Sequence, residues 1–178
     1  MVTRLPELLH YVIWRCDPAE LGATKLNKIC WYSDLDAYRA LGHTITGATD
    51  YIRLQFGPAP KGVHTAIEQL SNEGRLAVSQ QNFYGRPKTM YLSRVKPNIS
   101  AFSSEEVAII DSEAELICSK HSAVSISRLS HDVLWEEIEL GASIPVAAAA
   151  VIPGEITSED VLWAERAIAN FDEHRPPA

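Results

Sequence analysis

The sequence predicts an α+β fold: a mainly helical single domain with a small antiparallel β-hairpin or sheet and a winged-helix-like centre. Apolar residues recur at helical spacing in four stretches, led by LPELLHYVIWR and KLNKICWYSDLDAYRALG. Two β-rich stretches, YIRLQF and RLAVSQQNFYGRPKTMYLSRV, are interrupted or ended by glycine and proline. At 178 residues, 46% hydrophobic and 22% charged, the chain can bury a core without metal or disulfide staples.

Leu5, Leu8, Leu9, Val12 and Ile13 define a first short helix, which Asp17-Pro18 breaks because a residue before proline avoids helical torsions. Thr24 is the expected N-cap of a second helix that buries Leu26, Ile29, Cys30 and Ala37 and stops at Gly42. HTITGATDYIRLQF reads as extended about a turn at Gly47-Ala48. Gly57-Pro58-Ala59-Pro60 reads as a rigid corner, since neither proline donates a backbone hydrogen bond. Val63, Ala66, Ile67 and Leu70 form the apolar stripe of a third helix, with His64, Thr65, Glu68 and Gln69 on its polar face. Two strands follow, about a turn at Tyr84-Gly85-Arg86-Pro87. A helix followed by such a hairpin is the order of a winged helix-turn-helix, with the third helix presented.

Ser103-Ser104-Glu105-Glu106 signals the start of a helix reaching Lys120. SISRLSHDVLWEEI predicts one or two short helices with Leu129, Val133 and Leu134 inward. GASIPVAAAAVIPG reads as extended and buried, and Thr157 starts a final helix to Phe171 before a disordered tail.

The net charge of −7 is uneven. Residues 51–96 carry seven basic and two acidic side chains, and residues 97–178 four basic and fifteen acidic. The basic middle suits an anionic partner or the chain's own acidic segment equally well. Cys16, Cys30 and Cys118 are scattered and without a C-x-x-C pair, so they read as buried, reduced thiols. The opening MVTRLPELLHYVIWRC is too interrupted for a signal peptide, and IPVAAAAVIP is too short to span a bilayer. A cytoplasmic protein without membrane contact is expected.

No Walker, G-x-G-x-x-G, H-E-x-x-H or G-x-S-x-G motif is present. His131-Asp132 with Glu136 and Glu137 lacks a third metal ligand, and His131 reads as a half-buried histidine near Trp135. Asp34 reads as the partner of Lys25, Lys28 or Arg39. Neither a catalytic residue, a metal nor a cofactor is assigned. An enzyme built on His131, Asp34 and Tyr32 would need those side chains to converge.

The stretches TKLNKICWYSDLDAYRALGHTITG, YIRLQFGPAPKG, EGRL and SHDVLWEEIELGASIP, in that order, resemble the Panacea domain of the antitoxin SocA-like family. The resemblance covers roughly residues 5–150 and implies a domain over 1–155, with 156–178 as a C-terminal helix and tail packed on it. Lys25, Lys28, Tyr32, Asp34, Arg39, Arg53, Gly57, Pro58, Pro60, His131 and Trp135 fall on the matching positions. Most read as structural, with Trp135 in the core.

The resemblance implies a non-enzymatic protein that neutralises a cognate toxin by direct contact. One branch resembles a proteolytic adaptor, which adds a cellular protease as partner. The expected partner-binding residues are Arg53, Lys61, His64, Tyr84, Arg86 and Lys88, with Tyr84 or Tyr91 as aromatic anchor. The competing reading is a winged-helix regulator that binds DNA, against which stand the pI near 5.3 and the acids at Glu68 and Glu73.

Overall fold

The computed structural model describes residues 4–83 and 85–151. In chain order the elements are α1 (Leu5–Arg15), α2 (Ala23–Leu41), β1 (Asp50–Leu54), β2 (Gly57–Pro60), α3 (Val63–Asn72), β3 (Leu76–Phe83), β4 (Arg86–Ser93), α4 (Ser104–Lys120), α5 (Ala123–Leu129), α6 (Val133–Glu137), β5 (Ser143–Pro145) and α7 (Val146–Ala149). This is the α+β architecture, with two small antiparallel sheets among helices. Tyr84, the side chain of Arg86 and the final helix and tail expected beyond 156 lie outside the described residues.

The central element is α2. It packs on α1, α4, α5, α7 and β2, and buries Leu26, Ile29, Cys30, Trp31, Leu35 and Ala37. It starts one residue before the expected cap: Gly22 is the N-cap, and no side chain caps it. Gly42 closes it as expected, in the left-handed region at φ 78°. Helix α1 packs its expected stripe into the same core. Its buried His10 bonds Ser93 of β4 at 3.0 Å and accepts from Arg75, which also pairs with Glu7 at 2.7 Å. Those contacts tie α1 to the second sheet.

The stretch from Thr44 to Ala48, expected to be extended, is a loop. Its polar groups close on one another and on α2: Thr44 Oγ1 donates to the Ala48 carbonyl at 2.9 Å, and the Thr46 amide donates to Asp34 at 2.9 Å. Asp34 also accepts from the hydroxyls of Thr46 and Tyr51. The expected salt bridge of Asp34 with Lys25, Lys28 or Arg39 is therefore corrected. Asp34 is fully buried and held by neutral donors, which satisfy a carboxylate in a core at less desolvation than a cation would need. Burial still pushes its pKa up.

GPAP is not only a corner but a strand. β2 pairs with β1 in the register Tyr51↔Pro60, Arg53↔Pro58, and forms one edge of the sheet β2-β1-β5. Both prolines are tolerated for one reason. Arg53 directs its N–H to Ala142 at 2.9 Å and accepts from Gly141 at 2.8 Å, so its backbone bonds face β5 and the residue opposite it on β2 needs no N–H. Pro60, two residues on, has the same parity.

The second sheet is the β3-β4 hairpin, with Phe83 opposite Arg86. Its turn is narrower than expected, because Arg86 and Pro87 already belong to β4. Tyr91 faces the core and Leu92 faces outward, so Tyr91 is removed from the candidate anchors.

Helix α4 begins with a full capping box: Ser103 accepts from the Glu106 amide, and Glu106 accepts from the Ser103 amide. SISRLSHDVLWEEI forms two helices, α5 and α6, and Leu129 points outward rather than inward. The apolar run after Ala142 is not uniformly extended and buried. Ile144, Val146 and Ala150 are inside, whereas Ala147 and Ala148 lie on the exposed face of the short α7. Among the described residues no helix is long and apolar enough to cross a membrane.

Candidate functional site

Four elements meet at the β1-β2 turn. Lys28, from the middle of α2, is buried and donates to the Pro58 carbonyl at 2.8 Å. Burial lowers its pKa to about 7. Gly57 sits over it at φ 99°, and a Cβ there would overlap both the Lys28 ammonium and the Ser130 hydroxyl. Ser127 Oγ donates to the Phe56 carbonyl at 3.1 Å, and Ser130 Oγ donates to the Ser127 carbonyl at 2.8 Å. The turn is thus sealed against α5 and its C-terminal end.

A cationic-aromatic stack lies beside this seal. Arg53 Nε donates to the Trp135 carbonyl at 2.7 Å, and its guanidinium lies 3.9 Å from the Trp135 ring centroid. His131 stacks on the same indole at 3.6 Å and 4°. Burial, with Lys28 and Arg53 nearby, pushes the His131 pKa down, so the ring is neutral at neutral pH. Asp132 caps α6 by accepting from the Trp135 amide at 2.8 Å, which holds the indole in place. Among the described residues the Trp135 Nε1–H has no acceptor.

Large apolar side chains are exposed on the segments that build the seal and the stack. Phe56 is 60% exposed, Leu129 60% and Leu140 66%. Their neighbours in the chain belong to the seal and to the backbone of Arg53: Phe56 precedes Gly57, Leu129 precedes the Ser130 whose hydroxyl lies against Gly57, and Leu140 precedes the Gly141 that bonds Arg53. Exposed aliphatic and aromatic groups around a rigid cation–aromatic pair have the composition of a protein-binding patch.

The match to known families falls on this region. A family model described as antitoxin SocA-like, Panacea domain, matches residues 26–136, from α2 to α6. The chain belongs to the antitoxin SocA-like, Panacea domain family. No curated protein and no solved structure matches it. The matched span contains Lys28, Arg53, Gly57, His131 and Trp135, all the residues of the seal and the stack.

The six expected partner-binding residues of this Panacea domain do not form one cluster. Arg53 belongs to the stack. Lys61 lies at the opposite end of β2 and pairs with Asp50, whose carboxyl it holds below the usual range. His64 is exposed in the first turn of α3. Lys88 donates to the Ala19 carbonyl and braces the hairpin against the α1–α2 connection. Tyr84 and the Arg86 side chain lie outside the described residues. Trp135, expected in the core, is half-buried: it packs against the core and carries Arg53 and His131 on its ring. Asp34 turns into the core while His131 lies on the outer stack, so the pair has separate structural roles.

Phe56, Leu129 and Leu140 are absent from the sequence-based site. One signal was present for Phe56. A large aromatic placed directly before Gly-Pro has no continuing strand to alternate in, so a turn exposes it.

Proposed function

We propose that this Panacea domain neutralises a cognate toxin by direct protein–protein contact, centred on the Arg53–Trp135–His131 stack and the apolar side chains around it. The observation that carries the proposal is a pre-formed cation–aromatic platform with three exposed, large apolar residues on the adjoining chain segments. Such a surface is ordered before binding, so little conformational entropy is lost on docking. Lys61, His64, Arg86, Lys88 and Tyr84 are further candidates for contact, their basic members steering an acidic partner. The exposed face of α3 carries Glu68 and Glu73, which favours a protein over a phosphate backbone.

The test uses the product of the neighbouring reading frame, scored for growth arrest with and without this protein. Arg53→Glu and Phe56→Asp, each checked for native far-UV circular dichroism, should lose affinity by roughly 10- to 100-fold and fail to restore growth. Phe56 is exposed, so its variant separates binding from folding. Full binding by both folded variants would remove this face from the account. Toxin half-life in the same cells separates blocking, which leaves it unchanged, from delivery to a protease, which shortens it.

A further inference from the structure

Helices α1 and α4 lie side by side in the same direction. Arg4 pairs with Glu106 at 2.6 Å, Tyr11 donates to Asp111 at 2.9 Å and Arg15 pairs with Asp111 at 3.2 Å. Further along the same two helices, Cys16, the C-cap of α1, and Cys118, in the last turn of α4, line one open cleft with Arg15, Asp17, Glu20 and Ser119. Cys30, by contrast, is enclosed in the core.

The two thiols are unequal. The neighbouring Cys118 and burial push the Cys16 thiol up, and the neighbouring Cys16 brings the Cys118 thiol down to about 7. Lys25, which donates to the Cys118 carbonyl at 3.2 Å, contributes to that lowering, against the opposing charges of Glu20 and Asp17. Cys118 is therefore the thiolate-forming member, and Cys16 keeps the proton.

We propose that Cys16 and Cys118 are a reversible oxidation site, at which a hydroperoxide joins them in a disulfide that staples the C-terminal end of α1 to that of α4. The Cys118 thiolate attacks one peroxide oxygen, the O–O bond breaks, and Cys118 becomes a sulfenic acid as the other oxygen leaves as hydroxide. Cys16 sulfur then attacks the Cys118 sulfur and displaces hydroxide. The proton from Cys16 and the proton already released by Cys118 convert the two hydroxides to water. In all, two thiols and one hydrogen peroxide give one disulfide and two waters, the two electrons passing from sulfur to oxygen. A small dithiol reverses the reaction by thiol–disulfide exchange. The cross-link closes most of the chain into one loop, so it restricts the unfolded state strongly.

The test treats the purified full chain with hydrogen peroxide, alkylates the remaining thiols and maps peptides without reduction. Titratable thiols under denaturing conditions should fall from three to one per chain, with a Cys16–Cys118 linked peptide. The melting temperature should rise by roughly 5–10 °C and return to its starting value with dithiothreitol. Cys30→Ser should behave as wild type, and Cys118→Ser should lose the shift. Peptide mapping of the wild type decides the matter even where a variant folds poorly. Cys16 left free beside a Cys118 sulfinic acid, a disulfide joining two chains, or both thiols still open to alkylation would each overturn the proposal.

Discussion

Gly57 shows how closely one residue binds fold to surface. Its positive φ and the atoms beneath it leave no room for a side chain. Gly57→Ala should cost about 2–4 kcal/mol, measured by urea unfolding, because both the backbone and the Lys28–Ser130 contact must shift. Lys28 beneath it gives a pH signature. Its folded pKa, about 7, lies below the usual lysine value of 10.5. The stability linked to it is therefore present above pH 10.5 and lost as pH falls through 7. Lys28→Met removes this dependence, so the variant should gain on the wild type by on the order of a few kcal/mol between pH 10 and pH 6. A stability difference that stays flat over that range would show that Lys28 is not desolvated in the folded chain. Little of this was legible in the sequence. Lys28 read only as one of three possible partners for Asp34, because no local pattern reveals that a lysine will lie under a turn thirty residues later.

Elements were more legible where the signal is local. α1 and α3 follow from apolar spacing, and α4 from apolar spacing and a capping box written in adjacent residues. Ser103→Ala should therefore cost about 1 kcal/mol, read as a melting-temperature loss of roughly 2–4 °C. β2 was not legible as a strand. Proline argues against a strand unless the neighbour's backbone bonds face away, and that parity is set by β5, nearly ninety residues later. The α2–α4 seam holds a second pH-dependent group. Glu113 is buried beside Asp36, and its pKa rises to about 7, through burial first and the Asp36 charge second. Its linked stability is present below about pH 4.5 and is lost as pH rises through 7. Glu113→Gln should thus stabilise the protein at pH 8 by about 1–3 kcal/mol relative to its effect at pH 5. Equal effects at the two pH values would place the Glu113 carboxylate in contact with water.

At the scale of the whole molecule, α2 carries both the core residues and the buried Lys28 that reaches the β1-β2 turn. The small sheet β2-β1-β5 and helices α5 and α6 build a rigid face around Trp135. The family and the α+β class could be read from the chain because its motifs lie in order along it. The shape of the face could not, because Arg53, Leu129, Trp135 and Leu140 are brought together only by long-range packing. The basic residues singled out by charge alone are instead dispersed, with Lys61 and Lys88 held by Asp50 and Ala19. The most direct measurement is amide hydrogen exchange on this protein alone and in complex with its toxin. The account predicts slowed exchange in peptides covering residues 53–57 and 128–142, with α3 and the β3-β4 hairpin little changed. Protection confined to α3 and that hairpin, with the Trp135 face exchanging as in the free protein, would contradict it.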